Sequence, residues 1–324
     1  MSAIPAPPRP PALTRAEFLR LLAGGALLAA ASGPARAGDP SGEARMRTRS
    51  IPSSGEALPV VGLGTWISFD VEASEAALAP RREVLRLLFA GGGSVIDSSP
   101  MYGRAESVVG ALLAETGTRG RAFLATKVWT QGRDAGIAQM RRSMRRLGAG
   151  MDGAAPLDLM QIHNLVDWRT HLSTLRAMKE ASEIRYIGIT HYTPSALDAL
   201  TGILEAEPGI DFVQFAYSIA TRDAERRLLP LCAERGIAFL ANQPYDSGAV
   251  FRRVRGTALP EWAAGFADSW GRFFLKFILA HPAVTCVIPG TDDPKHMADN
   301  LGAGYGRLPD AEERRRMVSF WESL

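Results

Sequence analysis

The feature that most constrains the fold of this 324-residue chain is a regular alternation of two kinds of segment. Eight short apolar runs alternate with eight amphipathic stretches. The runs are continuously apolar, which is typical of strands buried on both faces. The stretches repeat apolar residues at three- and four-residue spacing, which predicts helices. Strict alternation favours a parallel sheet, and eight units in about 240 residues match a closed (β/α)₈ barrel.

The segment boundaries define this prediction. The strands are predicted at 60–64, 94–97, 123–128, 157–162, 186–190, 212–217, 238–243 and 284–288. The helices are predicted at 81–90, 106–115, 136–147, 171–183, 195–205, 224–235, 270–280 and 294–301. An open doubly wound sheet is the alternative, but no G-x-G-x-x-G motif follows any of these strands.

Three further segments lie outside the alternation. The stretches 46–51 and 57–60 flank a Pro-Ser-Ser-Gly turn, which predicts a β-hairpin closing the floor of the barrel. Residues 246–268 are predicted to form a long loop, and residues 310–323 an extra C-terminal helix. We therefore predict an α/β protein whose residues 38–324 are a single domain: a (β/α)₈ TIM barrel with an N-terminal β-hairpin and a C-terminal helix.

Residues 1–37 have the composition of a leader. They contain four arginines and one glutamate, an uncharged apolar run at 21–31, and the small-x-small sequence Ala35-Arg36-Ala37. This order predicts an export signal peptide cleaved after Ala37, and hence a periplasmic protein. Residues 14–20 resemble a twin-arginine motif in which Ala16 replaces the second arginine. If the leader is not used, the protein remains cytoplasmic.

Charge and cysteine content narrow the possible partners. The remaining 287 residues carry 33 basic and 33 acidic side chains, so we expect no nucleic-acid partner. The apolar run of the leader is shorter than the roughly 20 residues that cross a bilayer, so we expect no membrane span in the mature protein. Cys232 and Cys286 are predicted to be unpaired, and no metal-ligand set is predicted.

Polar residues at the ends of apolar runs are the candidates for chemistry, because barrel active sites lie at the C-terminal ends of the strands. Asp97, Lys127 and His163 occupy such ends, and Tyr102 follows Asp97 closely. Taken singly, each has a structural interpretation. Asp97 could cap a helix, Lys127 could be a solvated strand end, and His163 could be a core histidine.

Taken together, six motifs in this order resemble the aldo/keto reductase superfamily over roughly residues 46–305. They are Gly62-Leu63-Gly64-Thr65-Trp66, Asp97 with Tyr102-Gly103 and Ala105-Glu106, Thr126-Lys127, Gln161-Ile162-His163, Ile184-Arg185-Tyr186-Ile187-Gly188 and Val287-Ile288-Pro289-Gly290-Thr291. The resemblance implies NAD(P)H-dependent reduction of an aldehyde or ketone to an alcohol by hydride transfer.

The resemblance also implies a catalytic tetrad of Asp97, Tyr102, Lys127 and His163. Tyr102 is the proton donor in this scheme, and a neighbouring Lys127 ammonium is expected to lower its pKa. Asp97 is expected to hold Lys127 charged, since a buried ammonium needs a partner. His163 is expected to orient the carbonyl oxygen and to share the charge that develops on it.

Cofactor contacts follow from the same resemblance. The implied positions are Gly64, Thr65, Trp66, Thr190, His191, Gln214, Asn242, Gln243, Pro244, Tyr245, Gly290, Thr291, His296, Asp299 and Asn300. His191 replaces the usual Asn, and Asn242 replaces a Tyr that stacks on the nicotinamide, for which Tyr245 could compensate. His296 replaces an Arg that grips the 2′-phosphate. NADP(H) is the expected cofactor, with NAD(H) as the alternative.

The expected substrate is a small-molecule carbonyl compound of partly apolar character. Trp66 and Trp129 are expected to form pocket walls, and the 246–268 loop to contribute to substrate choice. Two other functions stay open at this point. One is an enzyme that forms a Schiff base on Lys127. The other is a non-catalytic nicotinamide-binding sensor or partner subunit on the same fold.

Overall fold

A computed structural model describes residues 45–150 and 154–324 of the chain. The predicted leader lies outside these residues. The described chain begins with a hairpin of two antiparallel strands, β1 (Thr48–Ser50) and β2 (Ala57–Pro59). This hairpin agrees with the prediction from the turn sequence.

Eight parallel strands follow, and their order in the sheet is their order in the chain. They are β3 (Leu63–Gly64), β4 (Val95–Asp97), β5 (Phe123–Val128), β6 (Leu157–His163), β7 (Ile184–Thr190), β8 (Phe212–Ala216), β9 (Ala238–Asn242) and β10 (Val284–Val287). Bridges between Val61 and Val287 and between Gly64 and Gly290 join the first strand to the last. The sheet thus closes on itself, which confirms the (β/α)₈ barrel.

Helices cover the outside of the sheet. The α-helices of the described chain are α1 (Glu75–Ala90), α2 (Ala105–Glu115), α3 (Arg133–Leu147), α4 (Trp168–Glu180), α5 (Leu197–Ala206), α6 (Leu228–Arg235), α7 (Ala249–Arg253), α8 (Trp270–Leu279), α9 (Pro294–Gly302) and α10 (Ala311–Ser323). Among these described helices, none combines the length and the apolar character needed to cross a membrane.

Two helix predictions and one loop prediction are corrected by the structure. Helix α1 begins six residues before the predicted start, because Ser74 caps it by accepting a hydrogen bond from the Ala77 amide. The predicted helix 224–235 is divided into a 3₁₀ turn and α6, because Arg227 has non-helical backbone angles. The predicted 246–268 loop contains α7 and two short 3₁₀ turns.

The barrel interior and the space under the helices form two apolar cores. Ile51 and Leu58 of the hairpin are fully buried in the interior core, against residues such as Phe123 and Phe212. The guanidinium of Arg49 donates to the carbonyls of Leu279, His281 and Val284, at the start of β10. The hairpin therefore closes the N-terminal end of the barrel and leaves the C-terminal end open.

Candidate active site

A cleft of about 760 Å³ lies at the C-terminal end of the barrel. All fifteen positions expected to contact a cofactor line it, together with Asp97, Tyr102 and His163. Lys127 and Trp129 do not line the cleft. Lys127 is fully buried and contacts Asp97 and Tyr102, which do line the cleft. Trp129 is exposed next to the cleft, with its ring centroid 6.5 Å from that of His163.

Asp97 and Lys127 form a buried ion pair. Lys127 Nζ lies 2.6 Å from Asp97 Oδ2 and donates to the Ser98 carbonyl at 2.7 Å. The second carboxylate oxygen, Asp97 Oδ1, accepts from Gln161 Nε2 at 3.0 Å and from Gln214 Nε2 at 2.8 Å. The pair is thus fully hydrogen-bonded, which a buried ion pair requires.

The pKa of Lys127 is raised despite its burial. Burial by itself lowers the pKa of an ammonium, but the negative charge of Asp97 and the nearby Tyr102 phenol outweigh it. Lys127 is therefore a stable ammonium at neutral pH, as the sequence interpretation expects.

Strand register brings these side chains together. Asp97 pairs with Ala125, and Lys127 pairs with Gln161, on successive parallel strands. Gln161 in turn pairs with Gly188. A Cβ at Gly188 would lie 2.8 Å from Gln161 Cγ, closer than real contacts allow. Glycine at this strand position leaves the room that Gln161 needs to reach Asp97.

Tyr102 is positioned by a turn that follows β4. Its amide donates to the Ser99 carbonyl at 3.0 Å, and Pro100 occupies the second position of the turn, which it favours. Lys127 Nζ lies 5.0 Å from the centroid of the Tyr102 ring. The sequence places the tyrosine five residues after Asp97, and the turn directs it back over the ion pair.

The expected lowering of the Tyr102 pKa is wrong for this structure. Burial raises the pKa of the phenol, and the Asp97 charge raises it further, whereas Lys127 only partly opposes them. The physical reason is that burial removes the water that would stabilise a phenolate. The attraction of the Lys127 ammonium, which is itself paired with Asp97, is too weak to compensate for this loss. Tyr102 is consequently a protonated phenol at neutral pH.

His163 is a neutral imidazole. It is 5% exposed, and its ring meets the Tyr102 ring edge-on at 5.9 Å between centroids. Burial, assisted by the positive charge of Lys127 and by His191, lowers its pKa to about 2. His163 can therefore offer a hydrogen bond to a carbonyl oxygen but carries no charge of its own.

His191 presents one donor to the cleft. Its Nδ1 accepts hydrogen bonds from the amides of Tyr192 (2.9 Å) and Thr193 (3.2 Å) and lies 3.2 Å from the Thr193 hydroxyl. Because Nδ1 is an acceptor, the proton of the neutral ring lies on Nε2. Within the described chain, Nε2 has no hydrogen-bond partner.

Asn242 and Gln214 form a second polar group in the cleft. Asn242 Nδ2 donates to the His191 carbonyl and to Gln214 Oε1, both at 3.2 Å. Gln214 Oε1 also accepts from Thr190 Oγ1 at 3.3 Å. The side-chain amide of Gln214, expected to hold a nicotinamide, is thus already bonded to Asp97, Thr190 and Asn242. Asn242 Oδ1 is buried and unpartnered among the described residues.

The opposite end of the cleft is built by the segment that follows β9 and by α9. The Tyr245 hydroxyl donates to Asn300 Oδ1 at 2.5 Å, and the Tyr245 ring packs 4.8 Å from Phe251. Tyr245 therefore belongs to the end predicted for adenosine, and its expected role beside the nicotinamide is not supported by its position. Asp299 accepts from Ser269 Oγ at 2.8 Å.

The mouth of the cleft is apolar. Six of the seven large apolar side chains exposed in the described chain lie around this end of the barrel. They are Trp66, Ile67, Met101, Trp129, Tyr192 and Phe251. Sequence reasoning identified the two tryptophans but missed Met101 and Tyr192, which stand in loops without periodicity. An apolar residue within four positions of the C-terminal end of a barrel strand is the signal that could have found them.

Comparisons with known proteins agree with this architecture. The model of the aldo/keto reductase family matches residues 60–321. An uncharacterized oxidoreductase of Schizosaccharomyces pombe is 31% identical over 166 residues, covering 50% of each chain. An aldo-keto reductase of Bacillus subtilis is 25% identical, covering 60% of this chain and 61% of the relative. The matches thus span between half and three fifths of these two relatives.

Solved structures show the same fold. An aldo-keto reductase from Klebsiella pneumoniae in complex with NADPH superimposes with a TM-score of 0.72 at 23% identity, covering 85% of this chain and 96% of that one. Another structure from the same organism, in complex with NADP and acetate, gives a TM-score of 0.70. The family model covers most of the chain, and the barrel and the motif residues are in place. The chain belongs to the aldo/keto reductase family.

Proposed function

We propose that this protein is an NADP(H)-dependent reductase that converts an aldehyde or ketone into an alcohol. The observation that carries the proposal is that Tyr102, a protonated phenol, and the neutral His163 line one cleft, with the buried Lys127–Asp97 pair next to Tyr102. A carbonyl that receives a hydride needs a proton and a hydrogen-bond donor at its oxygen. Tyr102 and His163 provide these two groups.

A nicotinamide dinucleotide, when bound in the cleft, would supply the hydride. The substrate carbon receives the hydride, while the carbonyl oxygen takes the proton of the Tyr102 hydroxyl. The phenolate left on Tyr102 is stabilised by the Lys127 ammonium, which Asp97 keeps charged. His163 donates a hydrogen bond to the same oxygen and holds it beside the phenol. Tyr102 then regains a proton from solvent.

The polar groups of the cleft fit a nicotinamide carboxamide. The carboxamide has one acceptor oxygen and one donor nitrogen. His191 Nε2 is a free donor, and Asn242 Oδ1 is a buried acceptor without a partner in the described chain. His191 stands where the resemblance places one of the carboxamide contacts, and its free Nε2 supports that role. Gln214, the other expected contact, is already bonded to Asp97, Thr190 and Asn242. At the other end, Gly290, Thr291 and His296 line the site expected for the adenosine and its phosphates.

NADP(H) is the proposed cofactor because structures of the Klebsiella pneumoniae relatives contain NADP or NADPH. NAD(H) is the alternative, since His296 stands where an arginine would clamp the 2′-phosphate. The apolar mouth formed by Trp66, Met101 and Phe251 supports a partly apolar carbonyl substrate.

The alternative functions have less support. Lys127 is paired and its pKa is raised, whereas a Schiff-base lysine needs a free amine. A non-catalytic nicotinamide sensor would not require a buried proton donor beside the substrate position. Oxidation of bound NADPH on mixing with an aldehyde distinguishes an enzyme from such a sensor.

Replacing Tyr102 with Phe tests the assignment. The variant keeps the ring but lacks the transferable proton, so we expect carbonyl reduction to fall by about 10²–10⁴-fold and the Kd for NADPH to change little. The measurements are NADPH consumption with a panel of aromatic and aliphatic aldehydes, and fluorescence titration with NADPH. Near-normal turnover by Tyr102→Phe would remove Tyr102 as the proton donor.

We propose further that the protein is exported with its cofactor already bound. The predicted leader supports this, and a reductase outside the cytoplasm needs a source of NADPH. Native mass spectrometry of the periplasmic fraction measures both the N-terminus and the bound mass. Protein that begins near residue 38 and carries a dinucleotide agrees with the proposal. Exported protein with an empty site, or full-length protein confined to the cytoplasm, contradicts it.

A further inference from the structure

Ser99 lies next to the catalytic groups but has no role in the scheme above. Its side chain is fully buried, and its hydroxyl oxygen lies 2.9 Å from His163 Nδ1. The same oxygen accepts a hydrogen bond from the Met101 amide at 3.3 Å. Ser99 is thus held by the backbone of the turn that also positions Tyr102.

The Ser99 hydroxyl has a single possible hydrogen-bond acceptor among the described residues. In the described chain, His163 Nδ1 is the only acceptor within hydrogen-bond distance of Ser99 Oγ. If Nδ1 carried a proton and donated it to Ser99, the serine proton would be buried without an acceptor, which is costly. The hydroxyl therefore donates to Nδ1. A neutral imidazole has one proton, so that proton must lie on Nε2.

We propose that Ser99 is a positioning residue that fixes the Nε2–H tautomer of His163. Nε2 has no partner among the described residues, and His163 lines the cleft. Fixing the proton on Nε2 makes His163 a hydrogen-bond donor toward the substrate oxygen at all times. The opposite tautomer would present a lone pair, which repels that oxygen.

The turn from Ser99 to Tyr102 connects the two donors. The Ser99 carbonyl accepts from the Tyr102 amide, and the Ser99 hydroxyl donates to His163. Ser99 thereby positions the Tyr102 phenol through its backbone carbonyl. Through its side chain it determines which nitrogen of His163 carries the proton. The neutral state of His163 is required for this role, and its lowered pKa provides it.

The kinetic consequence of this inference depends on the proposed function, but the tautomer does not. The tautomer can be measured by ¹⁵N NMR of the full chain labelled at histidine, with and without NADPH, using a His163→Gln variant to assign the signal. We expect an unprotonated Nδ1 and a protonated Nε2. A protonated Nδ1 in the unsubstituted protein overturns the inference, whether or not the protein reduces carbonyls.

Ser99→Ala and Ser98→Ala form a matched pair of variants. Both remove a fully buried hydroxyl, but Ser98 Oγ accepts from Thr65 and does not contact His163. We expect only Ser99→Ala to shift the His163 nitrogen signals toward a mixture of tautomers. Its kcat should fall by about 10-fold, the equivalent of one lost hydrogen bond, with the Kd for NADPH unchanged.

Ser99→Cys retains a weak donor at the same position, and we expect it to restore part of the original signal. A Ser99→Ala protein with the tautomer of the parent protein contradicts the inference. If Ser99→Ala does not fold, the spectrum of the unsubstituted protein still decides between the two tautomers.

Discussion

Lys127 and Asp97 form a buried ion pair in which each charge depends on the other. Each partner is buried and fully hydrogen-bonded, so the charges compensate each other where no water reaches them. We expect Lys127→Met to destabilise the protein by about 3–5 kcal/mol, because it leaves the Asp97 carboxylate buried without its counter-charge. Urea unfolding measures this loss.

The double variant Asp97→Asn with Lys127→Met tests the physical reason. Both charges are then absent, so most of the lost stability should return while carbonyl reduction stays abolished. Arg227→Met, which breaks exposed ion pairs with Glu205 and Glu234, serves as the control and should change the unfolding midpoint little. Equal destabilisation by the single and double variants would mean that packing, and not charge, is responsible.

The Nε2 donor of His191 is expected to contribute to NADPH binding. Replacing His191 with Phe keeps the aromatic contact with Tyr192 but removes the Nε2 donor, together with the Nδ1 acceptor of the Tyr192 and Thr193 amides. We expect the Kd for NADPH to rise by about 10-fold, since one hydrogen bond to the carboxamide is lost. Fluorescence titration measures it.

A fragment provides the control for His191. The Kd for 2′-phospho-ADP-ribose, which lacks the nicotinamide, should be unchanged in His191→Phe. His296→Phe, at the other end of the cleft, should weaken both ligands. If His191→Phe weakens the fragment as strongly as NADPH, His191 does not contact the carboxamide.

At the scale of elements, the turn between β4 and α2 depends on Gly103. This residue has a positive φ of 58°, and a Cβ there would lie 2.2 Å from the Asp70 carboxylate, which also accepts from the Arg104 amide. We expect Gly103→Ala to destabilise the protein by about 1–3 kcal/mol and to displace Tyr102, since both the left-handed backbone and the contact with Asp70 oppose a side chain.

Thermal unfolding of two further variants separates these causes. Adding Asp70→Ala to Gly103→Ala should restore only the stability lost through the contact with Asp70. The loss caused by the left-handed backbone should remain. Gly202→Ala, at an exposed position of α5 with free space around it, should stabilise the protein by about 0.5–1 kcal/mol. Unchanged stability of Gly103→Ala would show that the turn adapts to a side chain.

For the whole molecule, the hairpin and the barrel are joined through Arg49. Its guanidinium satisfies three carbonyls at the junction of α8 and β10, while Ile51 and Leu58 plug the barrel. We expect Arg49→Met to lower the free energy of unfolding by about 2 kcal/mol or more, because these carbonyls lose their donor. Urea unfolding measures the change.

The activity of Arg49→Met is the internal control. The hairpin lies at the closed end of the barrel, opposite the cleft, so the kcat of folded protein should be unaffected. A variant that keeps its stability but loses activity would contradict the assignment of the hairpin as a purely structural floor.

The sequence by itself determined the alternation of strands and helices, and with it the barrel. A strand that is buried on both faces has a continuous run of apolar residues. A helix that is buried on one face has apolar residues at three- and four-residue spacing, so both patterns are visible in the sequence. The motif around Asp97, Tyr102, Lys127 and His163 likewise identified the family and the residues at the strand ends. The Ser74 cap was missed because the helix was predicted from the spacing of its apolar residues, which begins further along the chain.

Only the tertiary structure decided the protonation and hydrogen bonding of the site. The pKa of Tyr102 depends on how much water is removed around it, which no local pattern records. The pairing of Gln214 with Asp97, and of Ser99 with His163, joins residues 117 and 64 positions apart in the chain. Such contacts follow from strand register and barrel closure, because only these bring the ends of distant strands within hydrogen-bond distance.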